Sequence, residues 1–168
     1  MNAPTLQPPP APAAIEDVLR RHRIEARIEQ LQAPAPTAEA AARLLGCPVS
    51  RIAKTMVLTD DDAYAVVVMP GDRRLVRRLV SAALGMGPLR FATADEVRAQ
   101  TGHPPGGVAP IAFPGSPRVV VDEALMRRPQ ETVAAGGGRE DLLLHIRPGD
   151  IVRFHGARVA AISHGVPQ

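Results

Sequence analysis

Of the 20 basic residues in this 168-residue chain, 19 are arginine and one, Lys54, is lysine. A sequence that uses arginine almost everywhere has kept a single compact ammonium. A planar guanidinium fork cannot imitate that point charge with three rotatable donors in a tight pocket. The second unusual feature is the run Thr101-Gly102-His103-Pro104-Pro105-Gly106-Gly107-Val108-Ala109-Pro110. Its prolines limit motion, and its adjacent glycines let backbone N–H groups approach a ligand without Cβ obstruction. An ammonium at the start of a strand and a loop of N–H donors together suit recognition of an anion or a polarised carbonyl. Lys54 is therefore the candidate catalytic side chain, with Gly106 and Gly107 as oxyanion donors. If they act in that way, alanine at Gly107 is expected to slow the reaction more than it destabilises the fold.

Other chemistry is not supported. There is no GxSxG elbow, no GxxxxGK[ST] loop and no HExxH pair. Cys47 is the single cysteine, which excludes an internal disulfide and a multi-cysteine zinc site. It follows a helix-ending glycine and reads as structural. The histidines His22, His103, His145, His155 and His164 lack ligand spacing, although a fold could gather His145 and His155. Asp60-Asp61-Asp62 reads as a solvated turn, so no metal and no cofactor are expected. Aromatic residues make up only 2% of the chain, and tryptophan is absent. That argues against a stacking platform for single-stranded nucleic acid. A net charge of +3 permits a polyanionic partner without requiring one. No stretch approaches the about 20 apolar residues needed to span a bilayer, and no secretory signal is visible at the N-terminus. A cytoplasmic protein with no membrane or DNA partner is expected.

The elements that must position these residues follow from local signals. At 45% hydrophobic the chain can fill the core of one domain. Residues 1–14, rich in proline and alanine, read as a disordered tail, residues 15–163 as the folded domain, and residues 164–168 as a second tail. A first helix ends near His22, and a strand covers residues 26–31. Thr37 caps a helix that stops at Gly46. Residues 54–59 and 63–69 form a hairpin across the three aspartates. Residues 73–84 read as an amphipathic helix. Taking about 100° per residue, Arg73, Arg74, Arg77 and Arg78 share one face, a candidate contact for phosphates. Thr93 and Glu96 have capping-box spacing. Strands are expected at residues 118–121, 132–135, 142–146 and 159–162, with a turn or short helix at Pro148. The expected fold is α/β (α+β): one curved mixed sheet, partly barrel-like, flanked by helices.

The order of these motifs resembles a known family. Thr37-x-Glu39-Ala40-Ala41 runs to Leu45-Gly46, followed by Ile52-Ala53-Lys54-Thr55-Met56-Val57-Leu58. Gly102 then leads to Gly106-Gly107-Val108-Ala109-Pro110, followed by Val119-Val120-Val121-Asp122-Glu123 and Ala135-Gly136-Gly137. Over residues 15–163 the chain is similar to the YbaK/prolyl-tRNA-synthetase-associated domains, the trans-editing aminoacyl-tRNA deacylases. The resemblance implies hydrolysis of the ester of a mischarged aminoacyl-tRNA, typically one made by prolyl-tRNA synthetase, with help from the adenosine 2′-hydroxyl. It implies that Lys54 is the essential pocket lysine and that the loop from Gly106 to Pro110 holds the aminoacylated terminal adenosine. The acceptor end would then meet Thr55, Gly102, His103, Val108, Ala109 and Pro110, together with Ala134, Ala135 and Gly136. Cysteine-specific members carry a serine and an aspartate where this chain has Ala134 and Leu143, which points to a different small amino acid. A synthetase is an implied partner. The competing readings are a non-catalytic tRNA- or synthetase-binding module of the same fold and a small-molecule-binding or metal-dependent hydrolase.

Overall fold

The computed structural model describes residues 11–166. The most apolar segment occupies its centre. β3 (Tyr64–Pro70) carries Ala65 to Met69 with no exposed surface, as expected for a continuous apolar run covered on both faces. It pairs antiparallel with β2 (Ala53–Thr59) and parallel with β6 (Arg118–Asp122). β5 (Arg90–Phe91) and β9 (Arg158–Ala160) complete a five-stranded mixed sheet in the order β5-β2-β3-β6-β9.

Side-chain alternation divides this sheet between two cores. Val57, Val66, Val68 and Val121 face a cluster with Ile15 and Leu19 of α1 (Ala11–Arg21) and Ile151 of α5 (Pro148–His155). Leu58, Val67, Met69 and Val120 face Val80 of α3 (Arg77–Leu84) and Ile162. A second sheet has the order β1-β8-β7, formed by Arg27–Gln30, Leu142–Ile146 and Val133–Gly136. It joins the first through a parallel bridge between Ile52 and Ala134. α2 (Ala38–Leu45) covers that junction with Ala41 and Ala42, which cluster with Ile52, Ala134 and Leu143. The five-stranded sheet is mixed, as expected, while the β1-β8-β7 sheet is antiparallel, and the sheets do not close into a barrel.

The local end signals hold. Thr37 Oγ1 accepts from Ala40 N–H, and Gly46 ends α2 at φ 64°. Thr93 and Glu96 form a complete capping box on α4 (Ala94–Thr101). The main departure lies at residues 73–84. They are not one helix: Arg73–Leu75 is a strand, β4, and the helix begins only at Arg77. β4 pairs antiparallel with β10 (Ser163–Gly165), a strand that includes His164 and Gly165 of the expected tail. The Arg73 guanidinium donates to Ser163 Oγ at 2.7 Å, and Ser163 Oγ–H donates to the buried Asp122 carboxylate. A pairing over 90 residues of sequence therefore overrides the helical periodicity of the arginines. At the other end, residues 1–10 of the expected tail lie outside the described residues, while residues 11–14 belong to α1. Residues 148–155 form a short helix, α5, one of the two outcomes expected at Pro148.

Candidate functional site

Lys54 is the second residue of β2, just past the Ile52–Ala134 bridge that joins the two sheets. Its Nζ donates to the backbone carbonyl of Arg73 at 3.0 Å. That carbonyl belongs to the strand that β10 holds in place. Partial burial pushes the ammonium's pKa below the ordinary lysine value, while the carboxylates of Glu39 and Asp72 pull it back up. Lys54 stands between two cavities. One, about 80 Å³, is lined by Thr55 and by Thr37, Ala38 and Ala41 at the start of α2. Pro105, Gly106, Val108, Ala135, Gly136 and Leu143 form its other walls, with Ala35 and Pro36 at its edge. The other, about 600 Å³, opens along β4 past Arg73, Arg74 and Arg77 to Phe91 and Val166.

The small cavity gathers Lys54, Thr55, Gly106, Val108, Ala135 and Gly136 from the expected site. Thr55 Oγ1 is buried with no hydrogen-bond partner among the described residues. Gly102, His103, Gly107, Ala109, Pro110 and Ala134 are not among the residues that line it. Of these, Gly102 is the αL cap of α4. His103 is buried, and its Nδ1 accepts Ala109 N–H at 3.2 Å, stapling the loop to itself. Pro110 is held by His155, whose Nε2 lies 2.7 Å from the Pro110 carbonyl. These residues shape the loop from behind. Ala134 faces the small cluster under α2 instead.

Gly107 corrects an expectation. Its N–H donates to the Pro104 carbonyl at 2.9 Å, closing the turn of residues 105–107, so it does not point into the cavity as a donor. A Cβ there would lie 2.6 Å from the Arg139 carbonyl carbon and 2.8 Å from its Cα. The glycine is needed because the β7–β8 turn packs against the loop. Gly106 differs: a Cβ would meet only the movable Glu140 carboxylate, at 2.7 Å. Gly106 remains as a donor candidate. The alanines and Thr37 of α2 were not anticipated as pocket wall. Their one sequence signal was a run of small residues right after a cap.

The four arginines also divide. Arg73 is committed to Ser163, and Arg77 donates to the Leu89 carbonyl at 3.0 Å. Arg74 and Arg77 line the larger cavity, while Arg78 does not. His145 bonds Glu29 at 2.6 Å, so it and His155 have separate partners. Among the described residues no three His, Cys, Asp or Glu side chains gather in metal-binding fashion. No described helix is long and apolar enough to cross a membrane. A still larger cavity, about 790 Å³ between α3, residues 113–118 and α5, contains none of the expected site residues.

The chain is similar to several known proteins. An uncharacterised protein of Bacillus subtilis (strain 168), YwhH, is 28% identical over 79% of this chain and 83% of its own length. Proline–tRNA ligase of Fervidobacterium nodosum is 30% identical over 62% of this chain, which corresponds to only 18% of the ligase. A solved structure of a candidate trans-editing enzyme for prolyl-tRNA synthetase superposes with a TM-score of 0.83 at 29% identity, covering 95% of this chain and all of that one. The aminoacyl-tRNA editing domain family matches residues 32–154, from the loop before α2 to the last turn of α5, and the chain belongs to that family.

Proposed function

We propose that the protein hydrolyses the ester of a tRNA mischarged with a small amino acid, in trans to the synthetase that made the error, with prolyl-tRNA synthetase as the favoured source. The observation that carries this reading is the position of Lys54 between a cavity of about 80 Å³ and a cationic cleft of about 600 Å³. The small cavity suits a short amino-acid side chain against Ala41, Val108, Ala135 and Leu143. The cleft suits the polynucleotide to which that amino acid is attached.

Lys54 would hold the terminal phosphate or the ester carbonyl. Gly106 N–H would support the oxyanion that forms when water adds to the carbonyl carbon, and the unpaired Thr55 hydroxyl would orient the aminoacyl group. Collapse of the tetrahedral species expels the ribose oxygen, which takes up a proton and leaves free amino acid and uncharged tRNA. An aminoacyl ester is already activated, so placement and electrostatic support account for the catalysis. A synthetic site cannot strongly reject a smaller residue, because one methylene is worth only ~1–3 kcal/mol. A second, smaller pocket that destroys the error product supplies the missing selectivity.

The test is a panel of tRNAs charged with amino acids of graded size. Ester loss is expected for small residues and not for large ones, and it should disappear in Lys54→Ala. Retained binding with no ester loss from any charged tRNA would instead favour a binding module. Hydrolysis that chelators abolish would favour a metal-dependent hydrolase.

A further inference from the structure

We infer that Phe91, with Arg77 laid over its ring, is a stacking platform for an unpaired cytidine just upstream of the terminal adenosine of the tRNA. The inference rests on the deacylase reading and extends it to how the single-stranded end is held. Phe91 is 53% exposed on the two-residue edge strand β5. It is one of four large hydrophobic residues exposed among the described residues. Phe91 and a second of the four, Val166, line the same cleft as Lys54 and the arginines. The Arg77 guanidinium carbon lies 5.7 Å from the Phe91 ring centroid, and its bond to the Leu89 carbonyl fixes it there.

A surface for duplex RNA needs only charges matched to phosphates. Bare aromatic and aliphatic groups between cations match a strand whose bases are unstacked, since aromatic rings and guanidinium planes both stack on bases. Glu39 and Asp72 also line the cleft, and both are counted among the carboxylates that act on Lys54. The spacing fits as well. Phe91 pairs with Leu58, four residues along β2 from Lys54, about 13 Å at the rise of a strand. A phosphate on Lys54 would therefore leave a base upstream of the terminal adenosine beside Phe91. The overall scarcity of aromatic residues made a stacking role look unsupported. The fold places one of the three phenylalanines where a single platform is enough.

The experiment uses an uncharged acceptor-stem hairpin ending in single-stranded CCA, so that binding is read without ester chemistry. By fluorescence anisotropy, Phe91→Ala should bind roughly tenfold or more weakly than the wild type, with an unchanged melting temperature. A hairpin made abasic at the cytidines should lose affinity for the wild type and lose little further for Phe91→Ala. Phe91→Trp should bind like the wild type. Because the chain has no other tryptophan, its fluorescence should be quenched by the CCA hairpin and not by one lacking the overhang. Equal affinity of wild type and Phe91→Ala, or an equal abasic penalty in both, overturns the platform even if the wild type deacylates normally. The Phe91-dependent binding pattern without ester loss from any charged tRNA supports the platform and overturns the deacylase reading alone.

Discussion

Lysine and arginine carry the same charge in different shapes, and position 54 separates them. The Lys54 ammonium reaches the Arg73 carbonyl at 3.0 Å from a half-buried stem. A longer, planar fork would have to displace that bond or enter the small cavity. Lys54→Arg is therefore expected to lose activity almost as fully as Lys54→Ala, by about a hundredfold or more. Single-turnover deacylation measures this, and an arginine variant that keeps most of the activity would show that charge alone matters. The adjacent glycines allow a sharper comparison. Gly107→Ala pushes a methyl into the Arg139 backbone, so it should destabilise the fold by about 1–3 kcal/mol, as overpacking does. Gly106→Ala meets only a flexible glutamate side chain and should melt close to the wild type while reacting more slowly. Thermal melts that reverse this order would contradict the packing described for the loop.

At the scale of elements, the run of arginines is divided by the β4–α3 junction, and each part has its own task. Arg73 ties β4 to Ser163 and the buried Asp122, and so fixes the carbonyl that receives Lys54. Arg74 is exposed on β4 and lines the cleft, whereas Arg78 is exposed on α3 and lies outside it. If the cleft carries the tRNA strand, Arg74→Gln should weaken binding at every sequence and lower the slope of log affinity against log salt by about one. Arg78→Gln should leave that slope unchanged. Titration of both variants at several salt concentrations decides between them, and identical slopes would return both arginines to a solvated surface.

For the whole molecule, the buried His103 and the half-buried His155 tie the stability of the site loop to pH. His103 is only 3% exposed, and burial lowers its pKa from 6.5 to about 4. His155 is lowered too, by burial, with its bond to the Pro110 carbonyl acting against the shift. Between those two values for His103 the unfolded chain binds the proton and the folded chain does not. Stability therefore falls as pH drops from about 6.5 towards 4, by about 1.4 kcal/mol per unit from this residue at full effect. Asparagine at position 103 offers an acceptor to Ala109 N–H but cannot titrate. His103→Asn should show a shallower fall in urea midpoint over that window, with the His155 part remaining. An unchanged slope would mean that His103 is already protonated in the folded state.

The sequence by itself determined whatever depends on neighbours along the chain. Thr37, Gly46, Thr93 and Glu96 mark helix ends through bonds to residues a few positions away. The apolar runs on either side of Asp60 made the β2–β3 hairpin legible, and the lone lysine stood out by its type. The resemblance pointed to the loop and to Ala135-Gly136, which the fold places at the end of β7. Tertiary structure alone decided the rest. The pairing of β4 with β10 depends on residues 90 positions apart, so local periodicity predicted a helix where a strand forms. The alanines of α2 become pocket wall only once the Ile52–Ala134 bridge brings the two sheets together. Gly107 looked like a donor aimed at a ligand, yet it must lack a side chain because the Arg139 backbone, remote in sequence, lies against it. Phe91 gained a role only when β5 joined the edge of β2 and α3 laid Arg77 across its ring. Each of these depends on which surfaces meet, and that is settled by burying the whole set of apolar faces at once, which no window of the sequence contains.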